Sequence, residues 1–428
     1  MAALPKEIIT EILSRLPVKS LLRFTSVCKS WYFLIKNPNF AKLHLNQSLI
    51  SQSNRHLILF HHSLYFSQID LDSNHLSFLK INHPLDHQKT IVLGSCNGVT
   101  CISNFSKSEF FLFNPLTKSH RKLPSIPIQD PKDEVIFGFG YDSKNDDYKV
   151  LRMLEGYNYK TDEIFYNEAK VYSLNNHSWK TVDALPYYLF YKNFYGALVN
   201  ENLHYSVLVE QILDSEYMSI ARFDLQTERF SLMSYPIDIY GDIFKSGLML
   251  VLGQLDGCLC LMVNYQTIDL GGLLPLPTNE VQGPLLKRVD LWVMKEYGKE
   301  DSWVRLFSIC QPESIGCYIH VLPLVYSGDG RRILLDLDAL RFGWYDLVSN
   351  SVDEIIADGL PLGYLESSFF VGSLVCVSLQ DKLSLKKKTL PKKNKKKCFS
   401  GSLIYYFISI FFEFFARKNS ACWAKVMD

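Results

Sequence analysis

LPKEIITEILSRLPVKSLLRFTSVCKSWYFLIKNPNFAKLHL spans Leu4 to Leu45 and reads as helices. Ile8, Ile9, Ile12, Leu13 and Leu16 fall at i, i+1, i+4, i+5 and i+8, the spacing of one apolar helix stripe. Glu7, Thr10, Glu11, Ser14 and Arg15 take the other side. Pro17 predicts a stop, because the residue before a proline is pushed out of the α region. Leu21, Leu22 and Phe24 predict a second short helix, and Val27, Cys28, Trp31, Leu34 and Ile35 a third. Asn37-Pro38 reads as the end of that third helix, with a last turn from Phe40 to Leu45.

The stretch holds more apolar side chain than it can bury. A segment of roughly 40 residues is at or below the size that stabilises itself alone. Leu4, Pro5, Ile12, Leu13, Leu16, Pro17, Val18, Leu21, Leu22, Val27, Cys28 and Trp31 cannot all be covered internally. Two readings follow from physics: a helical cap on the next domain, or a surface for another protein.

These residues resemble an F-box. Leu4-Pro5, the run Ile12-Leu13-Ser14-Arg15-Leu16-Pro17-Val18-Lys19-Ser20-Leu21, and Val27-Cys28-Lys29-Ser30-Trp31 match the plant form of the motif. The resemblance implies a three-helix module that docks the Skp adaptor and, through it, a cullin in an SCF ubiquitin ligase. The adaptor-facing residues it implies are Leu4, Pro5, Ile8, Ile12, Leu13, Leu16, Pro17, Val18, Leu21, Leu22, Val27, Cys28 and Trp31.

At 428 residues the chain has room for two to three domains. A hydrophobic content of 47% and an aromatic content of 14% indicate a globular protein with a sizeable core. A net charge of +1 argues against a nucleic-acid footprint spread over the molecule. The ten cysteines have no framework spacing, and Met1 is followed by a helix with acidic residues rather than by an apolar leader. The expectation is a reduced intracellular protein, cytoplasmic or nuclear.

Residues 46–56 read as a polar linker, and from residue 57 the period changes to short runs that suit strands. From 91 to about 378 a loose unit recurs, a Gly-bearing apolar opening followed by strand, polar turn and strand. The turn halves are LFNPLTKSHRKLP, KVYSLNNHSWKTV, ARFDLQTERFSLM, LWVMKEYGKEDSWVRLF and GWYDLVSNSVDEI. Their anchors Phe113, Tyr172, Phe223, Val293 and Tyr345 lie 59, 51, 70 and 52 residues apart. A period of about 50 is that of kelch-type propeller blades. Five units are visible, and 57–81 with Phe369 to Val377 can build a closing sixth. The fold expected is therefore a small all-α module of three helices, then an all-β propeller-like domain of about six four-stranded blades over 57–380. A β-sandwich is the alternative.

Gly94-Ser95-Cys96-Asn97-Gly98, Phe113-Asn114-Pro115, Gly138-Phe139-Gly140-Tyr141-Asp142, Asp147-Tyr148-Lys149-Val150, Phe223-Asp224-Leu225 and Trp292-Val293-Met294-Lys295-Glu296-Tyr297-Gly298 resemble the F-box-associated domain of plant F-box proteins. That likeness implies a propeller that holds a target protein. Asn264 to Lys287 departs from it as a longer connection. Residues 381–428 fall outside it: a lysine run from Lys386 to Lys397, then SLIYYFISIFFEFFA from Ser402 to Ala416. The apolar piece is shorter than the roughly 20 residues of a spanning helix. It reads as a marginal membrane anchor, an import or membrane-surface segment, or sequence outside the functional protein; a membrane is a partner only if the tail is an anchor.

Catalytic signatures are missing. Gly138-x-Gly140 lacks the third glycine of a dinucleotide site and opens no helix. Cys258-x-Cys260 is followed by no pair at metal spacing, so core packing is the reading there and for Cys96 and Cys101. His61-His62, His177 and His204 have no carboxylate at motif spacing. A non-catalytic protein without cofactor or metal is expected. Tyr187, Tyr188, Phe190, Tyr191 and Tyr195 form an aromatic run that suits a target-binding surface, since tyrosine-rich loops are frequent interface hot spots; a buried strand with its turn is the other reading. The leading function is a substrate receptor of an SCF ligase. The runner-up is a non-ligase binding module, membrane-tethered if the tail is an anchor.

Overall fold

The computed structural model describes residues 5–60, 64–68, 75–85, 88–127, 134–158, 163–189, 196–210, 216–236, 239, 248–266, 286–310, 321–359 and 366–378. Four helices open the chain: α1 (Lys6–Ser14), α2 (Val18–Phe24), α3 (Lys29–Ile35) and α4 (Pro38–Ile50). The expectation of three helices is corrected here. Asn37-Pro38 does end α3, but it also starts a helix. The Asn37 side chain accepts a hydrogen bond from Asn39 N at 2.8 Å, and Pro38 takes the first helical position, where its missing N–H is not needed. α4 runs on to Ile50, through residues that read as linker.

The strands follow in antiparallel sheets. β1 (Arg55–Phe60), β2 (Leu64–Gln68), β3 (His75–Ser77) and β4 (Leu79–Lys80) come first. β5 (Thr90–Cys96), β6 (Val99–Asn104), β7 (Phe110–Phe113) and β8 (His120–Lys122) make one sheet in that order. β9 (Glu134–Asp142), β10 (Asp147–Asn158), β11 (Glu163–Ser173) and β12 (Ser178–Val182) make the next. β13 (Tyr188–Leu189) and β14 (Ala197–Val199) both lie on one edge of β15 (Asn202–Glu210), which continues to β16 (Glu216–Asp224) and β17 (Arg229–Met233). β18 (Leu248–Leu255), β19 (Cys258–Gln266), β20 (Leu286–Met294) and β21 (Trp303–Ile309) follow. β22 (Val321–Tyr326), β23 (Arg332–Leu337), β24 (Arg341–Asp346) and β25 (Ser351–Glu354) form the last sequential sheet. β26 (Ile356–Asp358) pairs with β3 in parallel, and β27 (Glu366–Val371) pairs with β1 to give the order β27-β1-β2-β4.

Five sheets thus have four strands each, and the sheet of 188–233 has five because two short strands, β13 and β14, share one edge of β15. This corrects the expected count of about six four-stranded blades. The innermost strands pack in sequence, β27 on β5, β5 on β9, β9 on β14, β14 on β18, β18 on β22 and β22 on β27. They close a ring, which leaves no open end to the array of sheets. An apolar core fills each junction between neighbours. Each fully buried Leu, Val or Phe there contributes about 1.5–3 kcal/mol relative to exposure.

Local chemistry shows why these residues make hairpins. Asn97-Gly98 and Asp256-Gly257 link β5 to β6 and β18 to β19, with φ of 51° and 78° and of 50° and 82°. Positive φ at both central residues is the turn whose twist matches paired strands. Gly138 and Gly140 serve close packing: a Cβ at Gly138 would sit 2.3 Å from the Tyr205 hydroxyl, and one at Gly140 would sit 2.5 Å from Leu225. The ring is closed by its two ends. Beyond β27, Asn114 Nδ2 donates to Ser373 O at 3.0 Å and to Val375 O at 2.8 Å, and Val377 is fully buried.

Candidate interaction surfaces

Within the helical module, Leu13, Val18, Leu21 and Ile35 are buried, as are Phe40 and Leu45 of α4. Phe24 and Trp31 hold their rings 5.6 Å apart. His44 is fully buried and its Nε2–H donates to Leu16 O at 2.8 Å. Burial lowers its pKa, against the pull of that carbonyl, so the ring stays neutral and joins α4 to the corner before α2. Of the residues read as adaptor-facing, Leu4 lies outside the described residues. Pro5, Ile8, Val27 and Cys28 are exposed, and Ile12, Leu16, Pro17, Leu22 and Trp31 are half-buried. Leu13, Val18 and Leu21 are core. Phe33, which carried no signal in the sequence, is 38% exposed on α3.

α4 and the residues after it lie across one end of the ring. Lys42 Nζ reaches Asp146 in the β9–β10 turn at 2.6 Å, while Gln52 Nε2 donates to Asp256 in the β18–β19 turn at 3.4 Å. Arg55, only 7% exposed, donates to Tyr326 O at 3.1 Å. Turns on this face span two to eight residues, from Asn97-Gly98 to 295–302. The longest gap between consecutive strands of one sheet is the nineteen residues between the end of β19 and the start of β20. None of Lys42, Arg55, Asp146 and Asp256 stood out in the sequence. The one available signal was an arginine at the head of the all-apolar run from Leu57 to Phe60.

Of the aromatic run, Tyr187 and Tyr188 are half-buried, and Tyr188 pairs with Leu208 at the edge of β15. Leu189 N donates to Glu155 Oε1 at 3.2 Å, which anchors the strand to the neighbouring sheet. Phe190, Tyr191 and Tyr195 lie outside the described residues, as do His61-His62 and the tail from 381.

The groups with reactive side chains are packed as structure. His204 is buried between Ala197 O, 3.0 Å from Nδ1, and the Tyr297 hydroxyl, 2.9 Å from Nε2. Burial pushes its pKa down to about 4. Cys96 is pushed up to about 12 and Cys101 further, both chiefly by burial, so neither is a thiolate near neutral pH. Cys260 is core, and neither it nor Cys258 is in a disulfide. Lys149 is held by Asp142 at 2.8 Å, Glu228 at 2.9 Å and Leu225 O at 2.6 Å, a buried tie between two sheets. Among the described residues no His, Cys, Asp and Glu group has metal-binding geometry, and no helix is long and apolar enough to cross a membrane.

A helical module with apolar residues left outside, followed by a closed ring of sheets, can be matched to known families. Residues 1–43 match the F-box domain and residues 55–323 the F-box associated beta propeller domain. The chain is 35% identical over 402 residues to F-box protein CPR1 of Arabidopsis thaliana, covering 88% of this chain and 89% of that protein. It is 31% identical to F-box protein At4g22390 of the same plant, covering 82% and 85%. It is 30% identical to F-box/kelch-repeat protein At3g23880, covering 78% and 85%. The kelch character expected from the period has no counterpart in the matched domain and appears only in the names of some relatives, the last one among them. Helices, ring and both domain matches agree: the chain belongs to the plant F-box proteins that carry an F-box-associated β-propeller.

Proposed function

We propose that this protein is the substrate-recognition subunit of an SCF ubiquitin ligase. The helical module docks the Skp adaptor and through it a cullin, and the propeller holds a target protein for ubiquitination. The chain makes no bond itself; it supplies effective concentration and orientation. The observation that carries this reading is the contrast in cover. Val27 and Phe33 stay exposed on the module, while the ring buries its own cores. An uncovered apolar helix surface fits a partner helix. The target-facing side in this reading is the face opposite α4. The setting proposed is cytoplasmic or nuclear. Co-purification tests it: tagged protein brings down the Skp adaptor and cullin, and a chain that captures neither overturns the reading.

A further inference from the structure

The helical module and the ring meet at the point where the ring closes. Ser53 N donates to Ser48 O at 2.9 Å, and Asn54 Nδ2 donates to Ser48 Oγ at 2.8 Å, so the chain folds back on the end of α4. Gln52 and Asn54 take positive φ of 51° and 53° to make that bend. Asn54 O then accepts from Gly372 N at 2.8 Å, just past the closing strand β27. The next residue is Arg55. It stands opposite Val371 in the β1–β27 pairing, and its guanidinium lies 5.9 Å from the Phe369 ring centre. Nη1 donates to Tyr326 O at 3.1 Å, and Nη2 is 3.8 Å from Asp256, the same carboxylate that Gln52 reaches. One buried side chain therefore touches the end of β22, the β18–β19 turn and the closing strand, directly after the turn that follows α4.

We propose that Arg55 is a positioning residue, fixing the direction in which α4 leaves the propeller so that module and ring move as one body. The exposed Lys42–Asp146 pair cannot do this, because water and salt screen two mobile, exposed side chains. Arg55 can. A charge-assisted hydrogen bond from a planar fork is stronger and directional, and a buried donor left without its acceptor is penalised. The geometric claim stands on these contacts alone; its use, holding a bound target at a set orientation to the ligase, rests on the receptor reading above.

The test uses the full chain with Arg55→Ala, Arg55→Lys and Asp256→Asn. Dyes placed through non-natural amino acids at Lys19 in α2 and Ser349 in the β24–β25 turn report the distance from module to ring. Hydrogen exchange reports the joint. Native protein shows one narrow distance distribution. Arg55→Ala broadens it and speeds exchange over 48–54 by about tenfold, while the amides of β9 to β12 keep their protection. Arg55→Lys keeps a cation but not the fork, and restores the distribution in part. An unchanged distribution in Arg55→Ala overturns the proposal. So does loss of protection spread evenly over every sheet, since that marks a stability role. If Arg55→Ala does not fold, Asp256→Asn carries the test and broadens the distribution less; no broadening overturns the proposal. Skp adaptor capture, measured beside it, is retained in Arg55→Ala. Failure of capture by the native chain sinks the receptor reading and leaves the joint standing.

Discussion

Residues 13–50 and residues 55–378 handle apolar side chains in opposite ways. Among the described residues, Val27, Phe33, Leu43, Leu49 and Ile50 are large, apolar and exposed in the first stretch. The second, many times longer, exposes only Leu79, Phe105, Val304, Leu340, Val348 and Ile356. The reason is geometric. A ring of sheets brings each sheet's two faces against neighbours, so its core is shared around the circle. A few short helices have one inner side and no second layer. The module therefore leaves more of its apolar surface open than the ring does.

The sharpest way to break that contrast is to put charge on each side of it. Leu13 is 1% exposed. Leu13→Asp should unfold the module, since lost packing and a buried unpaired carboxylate together cost about 3–5 kcal/mol. Val27→Asp with Phe33→Asp should leave helicity and melting within about 0.5 kcal/mol, as surface changes do, yet abolish adaptor capture. Circular dichroism and pull-down on the three chains decide between them. Equal capture by the double variant and the native chain would remove the exposed surface from the adaptor site.

On the ring, closure is the feature to break. A chain ended after Val371 loses the Asn114 bonds to Ser373 O and Val375 O and uncovers the sites of Ser373, Leu374 and Val377. A loss of several kcal/mol, about 3 or more, is expected from two lost aliphatic core residues plus orphaned polar groups. A chain ended after Gln380 should melt with the full chain, because every repeat landmark precedes that point and the lysine run from Lys386 cannot enter a core without a costly buried charge. Thermal melts of the two truncations against the full chain check this. A drop for the longer one would mean that 381–428 packs on the ring.

Much of this architecture was legible beforehand, and the reasons are local. The Gly-bearing openings around Asn97-Gly98 and Asp256-Gly257 fall at the turns β5–β6 and β18–β19, whose backbone angles admit few other residues. The turn halves fell on β7–β8, β11–β12, β16–β17, β20–β21 and β24–β25, and the closing sheet does combine 57–81 with the stretch near Phe369. What failed to show was long-range. α4 was missed because Asn37-Pro38 signals an end and a start alike. The two short edge strands β13 and β14 were hidden because an aromatic run fits strand and loop equally. Among the F-box residues, the motif did not separate core from surface: Leu13, Val18 and Leu21 face inward, while Val27 and Cys28 face out. The joint at Arg55 was invisible, since Asp256 and Tyr326 stand some 200 and 270 residues away.

A smaller effect tests how dry the ring's core is. Asp336 of β23 is buried, with Oδ2 accepting from the Ser367 hydroxyl of the closing strand and Oδ1 from Ala339 N at 3.0 Å. Burial outweighs those bonds and pushes its pKa up to about 7 from an ordinary 3.8. Between those values the folded protein holds a proton that the unfolded chain has lost. Stability therefore falls as pH rises from about 4 to 7, by at most about 1.4 kcal/mol per pH unit, and levels off above. Asp336→Asn keeps the acceptor for Ala339 N and removes the titration, so its urea midpoint should lose this slope. Parallel slopes for variant and native chain between pH 4.5 and 7 would mean that water reaches the carboxylate.

The smallest effect separates two contacts that look alike on the same face. Lys42 and Asp146 meet at 2.6 Å, but both side chains are more than half exposed. Their attraction is screened by water and salt, and ordering two mobile side chains opposes it, so Lys42→Ala should shift stability by under about 1 kcal/mol. The shift should shrink further in high salt. Arg55 differs in burial, not in distance: its guanidinium is 3.8 Å from Asp256 yet 7% exposed. Asp256 does not neutralise it fully, because burial still lowers the arginine's pKa. Comparing Lys42→Ala and Arg55→Ala by denaturant melts at low and high salt gives the contrast its last test. Salt should erase most of the first effect and little of the second. If both faded together, the joint at Arg55 would be as wet as the surface pair, and α4 would be steered to the ring rather than fixed on it.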